Sequence, residues 1–331
     1  MATCHLAFRE SLEGQTVTIP SIYQLFPEWK PNLHKDYEMA RDNFLNPWIE
    51  RWVEDRHIAH KLKEADFGIF AAAWGRSASF EVLCTAAKYF AWYFLYDDIF
   101  DCGTLKHDRH LAGVYREASL QYFKFTLIDE GEAPDLSIFT AELQKGLQCW
   151  DEVGLHIRNV CSKETREILC DEMLRYVGSL NNVDSMFDDY HVPSLEHYWA
   201  RREATAAVYC VIATIPFIYG LDVTREDVQD QSMRDLWRDT SYFVHVTRST
   251  NDMFSMRKEI IDGQIENLIP VLMLNRGIDC NTAMQQSYAV AGNHARAIID
   301  AESLQVCKSK AVSQAFIQSC QDVAMGLAHW R

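Results

Sequence analysis

Residues that form turns are scarce in this sequence, which has 14 glycines and 8 prolines among its 331 residues. Doubly wound sheets, sandwiches and barrels need more turns than so few glycines and prolines supply. No run alternates between apolar and polar residues as a half-buried strand does, whereas apolar residues recur at helical spacing along most of the chain. We therefore predict an all-α protein built from long helices.

Positive charge is also in short supply, because 32 basic residues face 47 acidic ones and the formal net charge is −15. Binding to nucleic acid or to an anionic membrane surface requires clustered lysine and arginine. We therefore expect neither nucleic acid nor membrane as a partner. The excess of carboxylates suits the binding of metal cations or simply solubility.

The ten cysteines contain no Cys-x-x-Cys pair, and the two nearest each other are Cys161 and Cys170. This spacing excludes a zinc ribbon or a thioredoxin-type site. The sequence does not start with basic residues followed by an apolar run, so we expect no signal peptide and a cytoplasmic protein with reduced thiols. The uncharged stretch from Ala204 to Leu221 is at the lower limit for a membrane span, and we interpret it as a helix buried in a large core.

Neither a repeat nor a flexible linker divides the chain, so we predict a single domain over residues 1–331, with an irregular segment at 1–30. Ser77 and Ser194 are predicted N-caps, and residues 181–193 are predicted to form a loop. Helical spacing predicts helices at about 34–63, 77–100, 108–129, 135–153 and 163–181. A helix from about 195 is followed by the uncharged helix, which ends near 220, and further helices are predicted at 222–262 (one helix or two), 265–275, 280–301 and 310–327.

A cluster of carboxylates ends the predicted helix at 77–100. Asp97 and Asp101 are four residues apart and share one helix face, with Asp98 beside them. Neighbouring carboxylates repel each other unless a cation lies between them, and their oxygens suit Mg²⁺. The alternative is an acidic helix end that faces solvent, although acidic residues there oppose the helix dipole.

A second stripe of oxygen donors consists of Asn251, Ser255 and Glu259, which succeed each other at intervals of four residues. On a helix this spacing places an amide, a hydroxyl and a carboxylate on one face, where they are able to hold Mg²⁺. Lys258 lies beside Glu259 and offers a positive charge to a phosphate. The alternative is an ordinary polar helix face.

Together these motifs resemble those of class I terpene synthases, most closely the fungal sesquiterpene synthases. Asp97–Asp101 is similar to the family's aspartate-rich motif, and Asn251, Ser255 and Glu259 are similar to its second metal motif. The resemblance implies a helical bundle around a central pocket. It also implies an enzyme, monomeric or homodimeric, that ionises a prenyl diphosphate (most simply farnesyl diphosphate) and cyclises the carbocation to a sesquiterpene. Three Mg²⁺ ions, replaceable by Mn²⁺, would be held by Asp97, Asp98, Asp101, Asn251, Ser255 and Glu259.

Further site residues follow from the same resemblance. Arg202 corresponds to the arginine that senses the diphosphate, or Arg201 does if the register is shifted by one. Lys258 and Asn251 are also implied as substrate contacts. The pocket would be lined by Tyr93, Phe94 and Trp330. In the family an Arg-Tyr pair follows this tryptophan several residues later, and the present sequence ends before it.

Two other functions fit an all-α chain. A trans-prenyltransferase would need a second aspartate-rich motif in place of the stripe at 251–259, and a non-enzymatic helical binding protein would need neither motif. Asp188 and Asp189 start like such a motif but continue to a valine and a proline, so we predict a loop there. The histidine pairs at 57 and 60 and at 107 and 110 lack zinc spacing, so we expect them on the surface.

Overall fold

The structure is a computed structural model. It describes residues 8, 10–12, 14–101, 103–180, 193–205, 207–247, 252–261 and 267–330, with the backbone alone at 101. Over these ranges all regular elements are helical and there is no strand, which confirms the all-α prediction. Residues 14–30 contain only a 3₁₀ turn, Ile22–Leu25, as expected for an irregular segment.

The α-helices are numbered in chain order, and two π-helical stretches (Arg41–Leu45 and Lys124–Ile128) and a second 3₁₀ turn (Ala301–Ser303) accompany them. They are α1 (Tyr37–Ala40), α2 (Asn46–Trp52), α3 (Arg56–Ala65), α4 (Phe67–Trp74), α5 (Phe80–Asp101), α6 (Arg109–Phe123), α7 (Ala141–Gln148), α8 (Asp151–Val160), α9 (Lys163–Ser179), α10 (Leu195–Thr205), α11 (Val208–Ile212), α12 (Ile215–Tyr219), α13 (Arg225–Gln229), α14 (Gln231–Thr247), α15 (Asp252–Ile261), α16 (Leu268–Arg276), α17 (Cys280–Asp300) and α18 (Lys310–His329).

Several helices begin or end at residues other than the predicted ones because side chains cap them elsewhere. The predicted helix at 34–63 is divided because the Asp55 carboxylate accepts hydrogen bonds from the first backbone amides of α3. The predicted cap Ser77 is wrong: α5 begins at Phe80, and the hydroxyl of Ser79 accepts from the amide of Val82 at 3.3 Å. Ser194 is confirmed as a cap, since its hydroxyl accepts from the amide of His197 at 3.2 Å.

Three other differences concern whole helices. The predicted helix at 135–153 is two helices, α7 and α8, which are separated at Cys149 and Trp150. The predicted uncharged helix that ends near Gly220 is two short helices, α11 and α12, and α4 was not predicted. Almost every residue of α4 is buried, so its sequence has no polar face from which helical spacing could be recognised.

The core is built around α5 and α14. Helix α5 packs against α4, α7 and α8, while α14 packs against α17 and α18. Large aromatic side chains fill the centre, among them Trp74, Trp92 and Trp150, which are fully buried. Residues 208–218 of the uncharged stretch are buried, and no helix in the described ranges is long and apolar enough to span a membrane.

The described cysteines are buried as well, apart from Cys161, which is half-buried. Burial raises the pKa of the Cys84 thiol and of the Cys161 thiol to about 11. These thiols are therefore protonated near neutral pH.

Candidate active site

The carboxyl end of α5 carries the first acidic motif. Asp97 is half-buried, and its Oδ1 accepts a hydrogen bond of 2.9 Å from the hydroxyl of Tyr176 on α9. Burial raises the pKa of Tyr176 well above its usual value, so the phenol keeps the proton that it donates. Asp98 is exposed, and the side chain of Asp101 lies outside the described residues. The hydroxyl of Tyr176 thus fixes one oxygen of Asp97.

Helix α15 carries the second motif. Ser255 is buried and Glu259 is half-buried, one helical turn further along. The amide nitrogen of Asn267 lies 2.9 Å from Glu259 Oε2 and 3.4 Å from Ser255 Oγ, so it joins the two oxygen donors. Burial raises the pKa of Glu259, a shift that a bound cation would oppose. Asn251 lies outside the described residues, and Lys258 is exposed.

Arg202 connects α10 to α14 and α15. Its Nε lies 2.7 Å from Nε2 of His245, and its Nη2 lies 3.7 Å from Asp252 Oδ1. The hydroxyl of Tyr198 donates to Asp252 Oδ2 and lies 2.8 Å from the same nitrogen of His245. Burial opposes ionisation of Asp252, but His245 and Arg202 outweigh it and hold the pKa of Asp252 below its usual range. A buried, charged network therefore anchors Arg202 beside the start of α15.

Arg201 has different surroundings from its neighbour. Burial and the positive charge of Arg202 lower the pKa of Arg201 to about 10. Of the two arginines, Arg202 has the contacts to α15 described above, where Ser255 and Glu259 also lie. This geometry favours Arg202 as the residue that senses diphosphate, which stays a prediction.

Helix α10 stops just after these arginines. Ala207 adopts φ 55°, a left-handed conformation that breaks the helix before α11 begins. Arg175 on α9 bridges the break: its Nη2 donates to the carbonyl oxygen of Glu203 at 3.1 Å, and its guanidinium lies 4.4 Å from the ring centre of Tyr209. Tyr209 in turn donates to Glu203 Oε1 at 2.9 Å. Arg175, Glu203 and Tyr209 thus form a cluster, the Arg175 cluster, that contacts both sides of the break.

The predicted aromatic residues fall into two groups. Phe94 and Trp330 come together, with ring centres 5.4 Å apart, and Phe67 packs against both. The indole nitrogen of Trp330 donates to the carbonyl oxygen of Ala65. Tyr93 lies apart from this group, edge-on to the ring of Tyr176 at 5.4 Å. Tyr93 therefore lies next to Tyr176, the residue that donates a hydrogen bond to Asp97.

The remaining predicted residues are either exposed or outside the described ranges. The histidines at 57, 60, 107 and 110 are all exposed, as expected. Asp188 and Asp189 lie outside the described residues.

Sequence reasoning missed Tyr176, His245 and Asn267. Only Asn267 left a signal, because an asparagine directly before an apolar helical run is a typical N-cap.

Residues 88–295 match the family described as Terpene synthase family 2, C-terminal metal binding. The chain belongs to this family. The matched range includes both oxygen-donor motifs, and membership means that this terpene synthase uses a divalent metal and acts on a prenyl diphosphate.

Named relatives agree with the family match. The terpene synthase is 27% identical to the sesquiterpene cyclase hepA of Aspergillus oryzae, over 86% of this chain and 76% of the relative. It is 24% identical to the silphinene synthase peniA of Penicillium patulum, over 96% and 85%. Among solved structures, germacradien-4-ol synthase from Streptomyces citricolor has the same fold, with a TM-score of 0.69 at 18% identity over 96% of this chain and 98% of that one.

The donor atoms fit a hard divalent cation. Asp97, Asp98, Ser255 and Glu259 offer only oxygen, the ligand type that Mg²⁺ and Mn²⁺ prefer. In the part of the chain that the structure describes, three or more His, Cys, Asp or Glu side chains do not gather at any one point.

Proposed function

We propose that this terpene synthase ionises farnesyl diphosphate and cyclises the resulting carbocation to a sesquiterpene hydrocarbon or alcohol, with release of diphosphate. In this proposal it is a carbon–oxygen lyase, cytoplasmic, monomeric or homodimeric, with one catalytic domain over residues 1–331. The observation that carries the proposal is the meeting of Arg202 with α15, the helix that holds Ser255 and Glu259. The names of the relatives hepA and peniA support a sesquiterpene product.

Three Mg²⁺ ions, or Mn²⁺ in their place, would neutralise the charge that develops on the leaving diphosphate. They would be held by Asp97, Asp98, Asp101, Asn251, Ser255 and Glu259. Arg202 offers a planar fork of donors to diphosphate oxygens, and Lys258 offers a mobile ammonium group. Both cations stabilise the diphosphate more as its bond to carbon breaks, because its negative charge then increases.

The hydrocarbon part of the substrate would lie against the aromatic side chains. Tyr93, Phe94 and Trp330 exclude water, which would otherwise trap the carbocation. Each aromatic face stabilises a nearby positive charge by about 0.5–2 kcal/mol. Proton loss or capture of one water molecule ends the reaction.

The test is to incubate the purified chain with geranyl, farnesyl or geranylgeranyl diphosphate and MgCl₂, and to analyse the extracts by mass spectrometry. We expect diphosphate release and a cyclic C15 product from farnesyl diphosphate, both lost on chelation of the metal. Consumption of isopentenyl diphosphate would instead indicate a trans-prenyltransferase. Absence of diphosphate release from all three substrates would indicate a non-enzymatic binding protein.

A further inference from the structure

One fully buried amide, that of Asn267, joins two helices at the second motif. Its Oδ1 accepts from the backbone amide of Ile269 at 2.9 Å and so caps α16. Its Nδ2 faces α15, where it lies 2.9 Å from the carbonyl oxygen of Asp252. The same nitrogen lies 2.9 Å from Glu259 Oε2 and 3.4 Å from Ser255 Oγ. The amide oxygen of Asn267 thus caps α16, and its amide nitrogen binds α15.

We propose that Asn267 is a positioning residue, which holds the Ser255 hydroxyl and the Glu259 carboxylate in place for the metal. This inference rests on the proposed function. The two amide protons suit the two acceptors at 2.9 Å, while Ser255 makes the longer contact. Glu259 therefore loses rotational freedom before a cation arrives.

The chemistry of the amide suits this role better than a charged side chain would. A lysine at this position would also bind the Glu259 carboxylate, but its charge would repel the incoming cation. An amide donates its protons without adding charge, so the carboxylate keeps its full attraction for the metal. The amide also bonds to the backbone of α15, which prevents α15 and α16 from moving apart.

A merely structural role, as the cap of α16, is the competing explanation, and Asn267→Ser separates the two. Serine caps helices well but is too short to reach Glu259 on α15. Asn267→Thr is a second variant that fills more of the buried volume. Asn275→Ser is the matched control, because Asn275 lies on the same helix and its amide donates to the carbonyl oxygens of Pro193 and Val271, neither of which belongs to the two motifs.

The experiment measures thermal unfolding of each purified variant with MgCl₂ titrated at a fixed concentration of inorganic diphosphate, and again without metal. We expect Asn267→Ser and Asn267→Thr to raise the half-saturating Mg²⁺ concentration about tenfold or more. Asn275→Ser should leave the half-saturating Mg²⁺ concentration within about twofold of wild type, because substitutions at exposed positions usually have only small effects. Without metal, the serine variant should unfold cooperatively, since its cap is retained.

Three results would overturn the inference. An unchanged Mg²⁺ titration in both Asn267 variants would show that the amide does not position the ligands. An equal shift in Asn275→Ser would assign the effect to the stability of α16. If wild type itself shows no stabilisation by Mg²⁺ and diphosphate, the proposed function fails and this inference fails with it.

Discussion

At the scale of single residues, the two adjacent arginines differ in what they contact. Arg202 is anchored by His245 and Asp252 next to the second motif. A guanidinium binds two oxygens at once, which an ammonium group cannot reproduce. We predict that Arg202→Lys loses most diphosphate release, about tenfold or more, whereas Arg201→Lys keeps most of it.

The measurement is the initial rate of diphosphate release at saturating Mg²⁺ for both variants. Far-UV circular dichroism checks that each variant is folded. Equal and mild losses would mean that neither arginine contacts the diphosphate. The reverse ranking would move the register to Arg201.

A second prediction at this scale concerns the proposed metal ligands. Asp97→Ala and Asn251→Ala should each reduce turnover at least about 100-fold without loss of helicity, since each removes a ligand. Asp188→Ala, which changes a carboxylate outside both motifs, should retain most activity. The turnover of each variant is measured by mass spectrometry of the product. Near-normal activity of either ligand variant would contradict the metal assignment.

Because helical periodicity places residues four apart on one face, the alignment of Ser255 with Glu259 on α15 could be predicted from their spacing, while their binding of metal stays a prediction. The side chains that contact the candidate site residues from other helices could not be predicted. Tyr176 reaches Asp97 from another helix, and His245 reaches Arg202 likewise. Such partners depend on how helices pack, and a single tyrosine or histidine in sequence does not indicate its neighbour.

At the scale of elements, the break between α10 and α11 has an unfavourable backbone at its centre. Ala207 has φ 55° and ψ 4°, where an L-residue is strained and glycine is not. We predict that Ala207→Gly raises the free energy of unfolding by about 1 kcal/mol. Ala289→Gly, at an exposed position within α17, should lower it by roughly 0.5–1 kcal/mol.

Urea unfolding monitored by circular dichroism compares the two alanine variants with wild type. Destabilisation by Ala207→Gly would mean that contacts of the Ala207 methyl group stabilise the folded state by more than its backbone strain costs. The Arg175 cluster would then be insufficient to hold the break by itself.

Helices with one polar and one apolar face were predictable from sequence, and α9, α17 and α18 begin and end close to the predicted residues. Helix α4 was not, because residues on all its sides are buried. The division between α7 and α8 has no glycine or proline to mark it, and Trp150 is simply buried there. Tertiary packing decides such breaks, and local sequence does not.

At the scale of the whole molecule, Asp322 joins distant parts of the chain. Its carboxylate, on α18, accepts from the indole of Trp29 at 3.2 Å and pairs with Arg76 at 3.1 Å. Burial raises the pKa of Asp322 to about 6, above that of an unfolded aspartate. The folded state therefore holds this proton more tightly, so this stabilising contribution is complete below about pH 4 and is lost as the pH rises through about 6.

We therefore predict that wild type loses stability relative to Asp322→Asn between about pH 4 and pH 7, by at most roughly 3 kcal/mol. Urea unfolding of both proteins across this range measures the difference. Asp279→Asn is the control, because hydrogen bonds within its own turn lower the pKa of Asp279. Its difference from wild type should stay flat above about pH 5, and a flat difference for Asp322→Asn would contradict the prediction.

The buried cysteines have a practical consequence for how opening of the bundle is observed. Thiols at positions 84, 170, 210, 280 and 320 lie in five different helices, and an alkylating reagent reaches each one only when its surroundings open. Brief exposure to iodoacetamide, followed by peptide mass spectrometry, would record the order in which these helices open. Wild type thus carries its own reporters of local unfolding, without any added label.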